Sequence, residues 1–295
     1  MTVWAASKRP SVQNPKQEVE RLMSFKNLLL AYSGEASFAS SLSHAIKLAD
    51  RHEAWLTAAM RNGRPYFERL GGGLPTALRD QLRTAEQQEV SLVRAKFERA
   101  VAEAGLAERS EFILPEQLGP KLPSEFARHY DLIITGFQSD LAGEEHHAVN
   151  PDRIALYSGR PVLVVPQDYD APVLADRVLV AWDGKRSAAR ALGDAMNAIE
   201  GKREVTLLTV GSQAEASLHD GVMKHLERHG VSARHLHKIG SGRNIARIIE
   251  DAADEVGARL IVMGAYEHSK FSQDLFGGVT HDVMHTTRVP VFLSH

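Results

Sequence analysis

Two features of this sequence could hold a ligand, and neither offers a reactive group. Asp183 directly follows the apolar run VLVAW, and GAYEHSKFSQDLFGGVT, from Gly264 to Thr280, follows RLIVM and leads into a helical pattern. Gly277 and Gly278 have no side chains, so backbone N–H groups there can lie close to an anion. A helix starting after them would add unpaired N–H donors and the positive end of its dipole, with the Thr280 hydroxyl alongside. A tight strand-to-helix turn would use the same glycine pair. Asp183 also has two readings: a carboxylate capping the following helix near Lys185 and Ser187, or an acceptor for a ribose or an adenine amine.

Such residues need a sheet to place them, because open parallel sheets bind ligands beyond their strands' carboxyl ends, near the switch in strand order. The second half supplies the apolar runs VLVAW, VTLLTV, LIVMG and PVFLS. They are nearly continuous rather than alternating, which suits parallel strands covered on both faces. Ala188, Ala191, Leu192, Ala195, Met196 and Ile199 form one helical stripe; Ile245, Ile248, Ile249, Ala252, Ala253 and Val256 form another. A weaker strand, SARHLHKIG, follows a helix around Met223 to His229. Strand–helix alternation with short loops predicts right-handed βαβ units in an α/β doubly wound sheet. Thr209 and Val210 then end their strand beside Asp183, and GSGRN, from Gly240 to Asn244, precedes the Ile245 helix.

The chain also repeats itself. FKNLLLAYSGEASFASSLSHAIKLA, from Phe25, parallels ADRVLVAWDGKRSAARALGDAMNAI, from Ala175; YDLIITGF parallels ARLIVMGAY; GRPVLVVP parallels RVPVFLSH. Three landmarks in one order at a period of roughly 130–150 residues predict two tandem open-sheet domains. Their boundaries are read as 23–168 and 174–295, joined near QDYDAPVLAD, with 1–22 a polar N-terminal extension lacking an apolar signal core. The first half carries GGGLP and a long polar helix between Asn62 and Gln88, read as a surface insertion.

The order strand–Asp, Gly-x-x-Gly-like loop, nine residues, Gly-Gly-x-Thr and Val-Pro-Val resembles the universal stress protein family. The match runs through the whole second half, and the chain as a whole is similar to tandem-domain members. The resemblance implies Rossmann-like folds of the adenine-nucleotide α-hydrolase type and an adenine-nucleotide pocket, for ATP or a relative, with or without Mg²⁺. By position it assigns Ala181, Asp183, Thr209, Val210, Gly264, Gly277, Gly278, Val279 and Thr280 to that pocket. Asp183 would meet the base or ribose, Thr209 and Val210 would pack beside the adenine, and the glycines, Val279 and Thr280 would cradle phosphates. It further implies that the final strands, near Val162–Val165 and Val291–Leu293, pair to make an internal pseudo-dimer, with a homodimer as a further possibility. Glu267 stands where the family pattern has its second glycine. A carboxylate at ~4 Å from a phosphate would cost roughly 1–4 kcal/mol, on the order of 10- to 1000-fold in affinity. In the first half, Ser33 replaces the aspartate and Glu144–Glu145 stand in place of the glycine pair, so its nucleotide loop is read as lost.

Other signals point elsewhere or nowhere. AYSGEASFASS has only part of the SGG-x-D-S loop of pyrophosphate-releasing ATP enzymes, since Glu35 and Ser37 replace its glycine and acid. His225, Glu227 and His229 miss the spacing of zinc-protease helices and read as a solvated face. His146–His147 read as a polar loop, and His235 and His237 as the solvent side of an edge strand. No catalytic triad or metal set is identifiable. Charged residues, 35 basic and 37 acidic, nearly cancel, giving no general pull toward nucleic acid or membrane surfaces. With no cysteine there is no disulfide or thiol chemistry, and a cytoplasmic location is expected. Three functions stay open: a stress-response module binding adenine nucleotide in the second half, a nucleotide-independent adaptor acting through an unidentified protein partner, and a slow ATPase.

Overall fold

The computed structural model describes residues 25–61, 75–118, 123–137, 149–170, 176–199, 204–212, 219–241, 244–265 and 278–295. The first half runs β1 (Asn27–Ala31), α1 (Glu35–His52), β2 (Trp55–Ala59), α2 (Thr76–Glu103), β3 (Ser110–Ile113), β4 (Leu132–Gly136), α3 (Pro151–Ser158) and β5 (Val162–Val165). Between β3 and β4 the described residues hold only short helical turns, Pro115–Leu118 and Pro123–Phe126 among them. The second half runs β6 (Arg177–Ala181), α4 (Arg186–Ile199), β7 (Glu204–Gly211), α5 (Asp220–Arg228), β8 (Ala233–Ile239), α6 (Asn244–Val256), β9 (Leu260–Gly264), α7 (Val279–Thr286) and β10 (Val291–Ser294).

All ten strands join one sheet, in the order β3-β2-β1-β4-β5-β10-β9-β6-β7-β8. Each half is thus wound the same way, its first strand central and its later strands returning on the other side. Every pairing is parallel except β5 with β10, where Phe292 lies opposite Leu163 between the pairs Val291–Val164 and Leu293–Val162. The strands expected to join the halves do so, in antiparallel register.

Apolar runs on both sides of the pleat explain the layering. Leu28, Leu30, Val178 and Val180 point to a cluster that buries Phe38 of α1, Phe97 of α2, Leu192 of α4 and Leu226 of α5. Leu29, Leu179 and Ile261 point the other way, against Ile154 of α3, Ile249 of α6 and Met284 of α7. Each fully buried Leu, Ile, Val or Phe contributes about 1.5–3 kcal/mol, so an unbroken apolar strand is stable only when covered on both faces. Helix ends follow local chemistry: α3 has Asn150 at its N-cap, Pro151 at its first position and Gly159 at φ 68° after its last turn. The long polar helix of the first half is α2, with only Val93, Phe97 and Val101 buried. Its early part, with Leu78 and Leu82 exposed, is the described portion of the expected insertion.

Candidate functional site

Each half has its switch point where its first and fourth strands are neighbours: β1 beside β4, and β6 beside β9. In the second half, β6 ends at Ala181, and the Trp182 N–H closes the strand by donating to the Leu208 carbonyl at 2.8 Å. The chain then exposes Asp183 and turns through Gly184 at φ 75° into α4. Asp183 Oδ1 accepts from the Lys185 N–H at 3.0 Å, and its Oδ2 is 3.8 Å from Lys185 Nζ. The carboxylate therefore braces its own turn, as the capping reading anticipated, while staying open to solvent.

Gly264 ends β9 for a reason the sequence reading missed. A Cβ there would lie 2.5 Å from the Ser187 carbonyl carbon and 2.6 Å from the Ala188 nitrogen. The glycine lets the first turn of α4 close onto β9, so its side-chain face is filled by protein. Only its backbone remains to meet a ligand. Gly278 is different: φ 151° and ψ 172° are reserved for glycine, and a Cβ would meet open space. It is the N-cap of α7 and provides no side-chain cap, so the helix start keeps its donor character. Thr280 is buried and Val279 half-buried in the first turn. Gly277 and Glu267 lie outside the described residues.

Thr209 and Val210 occupy opposite faces of the sheet. Ala181, Val210 and Val279 all pack against the cluster beneath α6 and α7. Thr209 points to the opposite face, where its Oγ1 is 2.9 Å from His235 Nε2 and 2.8 Å from His237 Nδ1. The two side chains part because consecutive strand residues point to opposite faces. The same bonds correct the reading of His235 and His237, which are half-buried rather than solvent-facing. His219 stacks on His235 with centroids 3.6 Å apart, and burial with the neighbouring His219 and His237 holds His235 below the usual imidazole pKa. A sequence signal existed: histidines two apart on a strand share a face, and His237 registers directly against Thr209 while His235 registers against Leu207.

A cleft of about 610 Å³ lies elsewhere, between α5 and β8, lined by His219, Met223, Lys224, Glu227 and His235 among others. It is two strands away from β6 and takes in none of the glycines. His225 on α5 and His229 just after it are exposed. Among the described residues no three His, Asp or Glu side chains are placed to hold a metal ion. Among them, too, no helix is long and apolar enough to cross a membrane.

The corresponding place in the first half is closed. Ser33, in the position of Asp183, is fully buried; its Oγ accepts from the Gly136 N–H at 2.9 Å and lies 2.9 Å from Ser37 Oγ. The start of α3 is occupied as well, because Asn150 Oδ1 accepts from the Arg153 N–H at 3.1 Å and Pro151 has no N–H.

Residues 175–295 match the model of the universal stress protein family. The second half is a universal stress protein domain. A curated universal stress protein of Synechocystis is 29% identical over 171 residues, covering 55% of this chain; the chain spans 57% of that relative's length. A solved universal stress protein from Archaeoglobus fulgidus aligns over 92% of this chain and 97% of its own, at 18% identity and a TM-score of 0.68. The fold of the family thus extends over both halves. A universal stress protein solved in complex with cAMP aligns with 42% of this chain and 98% of its own, at 22% identity and a TM-score of 0.36.

Proposed function

We propose that this chain is a tandem universal stress protein whose second half, 174–295, binds an adenine nucleotide such as ATP, while the first, 23–168, serves as its structural partner. One observation carries the reading. At the β6–β9 switch point β6 leads into an exposed carboxylate, Asp183, and the helix that follows β9, α7, starts at a glycine without a side-chain cap. The equivalent β1–β4 switch point is filled by protein groups. The nucleotide's base or ribose would bond to Asp183, Ala181 and Val210 would line the apolar side, and its phosphates would lie over the backbone of Gly264, Gly277, Gly278, Val279 and Thr280. To bind ligand, Asp183 exchanges its Lys185 contacts, which are solvent-exposed and weak. Thr209 contributes indirectly, by fixing the end of β7.

The adaptor reading gains from Glu267, whose carboxylate would oppose phosphate unless Mg²⁺ bridges it. Titration calorimetry of Mg-ATP into nucleotide-stripped protein separates the two. Saturable binding near one equivalent is expected, weakened roughly tenfold to hundredfold by Asp183→Ala through loss of a charge-assisted bond. No heat at millimolar nucleotide, in the native chain and Glu267→Gly alike, would leave the adaptor. ATP unchanged after long incubation would remove the slow hydrolase.

A further inference from the structure

Phe137 stands one residue beyond β4, in the first half, yet its ring packs on α7 of the second. Its centroid lies 3.7 Å from that of His285, with the planes at 58°, and 6.3 Å from that of His281, at 67°. The two imidazoles, one helical turn apart, are themselves 4.1 Å apart. Phe137 is anchored at its root, because its carbonyl accepts from Ser37 Oγ at 3.1 Å and β4 is buried along its whole length. The ring is therefore a fixed post set by the first half, touching the first and last turns of α7.

α7 needs such a post. Eight residues are too few to hold a helix without tertiary contacts, and its N-cap glycine adds no side-chain bond. Val283 and Met284 bury one side of it in the core, which fixes its height above the sheet. Sliding along its axis is resisted by what packs laterally, and Phe137 does so at both ends. We propose that Phe137 is a positioning residue, through which the first half sets the placement of α7 and hence of the Gly278–Thr280 backbone donors. This rests on the phosphate reading above. The ring has no counterpart at the matching position: the residue following β9 in the second half is Ala265. The half with a closed switch point thus holds the helix of the half with an open one.

Phe137→Ala and Phe137→Tyr in the full chain test this, read by amide hydrogen exchange and by Mg-ATP titration. In Phe137→Ala, amides of α7 are expected to exchange about tenfold faster while those of β9 and α6 keep their rates. The Kd for Mg-ATP should rise about threefold to tenfold, the scale of one lost aromatic contact. Phe137→Tyr should restore both. Unchanged α7 exchange in Phe137→Ala overturns the proposal. So does acceleration shared equally by β9 and β10, which marks general destabilisation, or an unchanged Kd in a chain whose native form binds. If the native chain binds no nucleotide, the phosphate reading fails alone, and local loosening of α7 still supports the positioning role.

Discussion

The two halves wind identically around their switch points, but one is sealed and the other is not. In the first, Ser33 bonds to the Gly136 N–H and Asn150 caps α3. In the second, Asp183 faces solvent and Gly278 leaves α7 without a side-chain cap. Both keep a serine, Ser37 or Ser187, wedged against the glycine that ends the fourth strand. The difference teaches which residues serve the fold and which serve the opening. The serine–glycine wedge is common to both and belongs to packing. The exposed aspartate, and a glycine without a side-chain cap at the start of the helix before the last strand, belong only to the second half, and they are where the proposed nucleotide would act.

The largest expected effect tests the shared part. Gly264→Ala drives a methyl into the backbone of α4, and Gly136→Ala drives one to 2.2 Å from Ser37 Oγ. Each should cost about 3 kcal/mol in denaturant unfolding, as overpacking of a rigid site does. If either glycine tolerates alanine, the wedge is not common to the two halves.

A second test separates the halves by pH. His44 on α1 is 4% exposed, its Nδ1 has no hydrogen-bond partner among the described residues, and its ring leans on Tyr169. Burial first, then the Lys47 charge, lowers its pKa to about 4. The aligned residue in the second half is Asp194, which accepts from Ser294 Oγ at 2.6 Å and Arg190 Nε at 2.8 Å. Because the folded pKa of His44 lies below the unfolded one, its unfolded form takes up the proton first. Stability should therefore fall as pH drops from about 6.5 to about 4, by about 3 kcal/mol in all, and level off below. His44→Leu should flatten that part of the profile; an unaltered profile would refute the assignment.

The smallest effect concerns the caps. Asn150→Ala should cost about 1 kcal/mol in thermal unfolding and leave Mg-ATP affinity unchanged. Any loss of affinity would mean that the sealed half takes part in binding.

Much of the architecture was legible because it rests on periodicity. The unbroken runs of β6, β7, β9 and β10, and the buried stripe from Ala188 to Ile199, announce a doubly covered sheet. The β5–β10 joint was legible only through likeness to a family, since nothing in VLVVP names its partner. The site was read less well, for one geometric reason. A linear motif gives the order of Thr209 and Val210 but not the opposite faces they occupy. It gives Gly264 as small, but not that α4 claims the vacated space. The grip of Phe137 on α7 joins residues more than 140 positions apart, and no local pattern carries it.

The antiparallel pair at the centre of the sheet has a consequence for how the chain can vary. Two identical subunits joined across β5 and β10 would place each axial residue against its own copy, and every substitution there would be felt twice. Here Leu163 faces Phe292, so a bulky side chain lies beside a smaller one and a change in either is felt once. Covalent linkage releases the halves from mirroring each other, so each carries its own side chain at the joint.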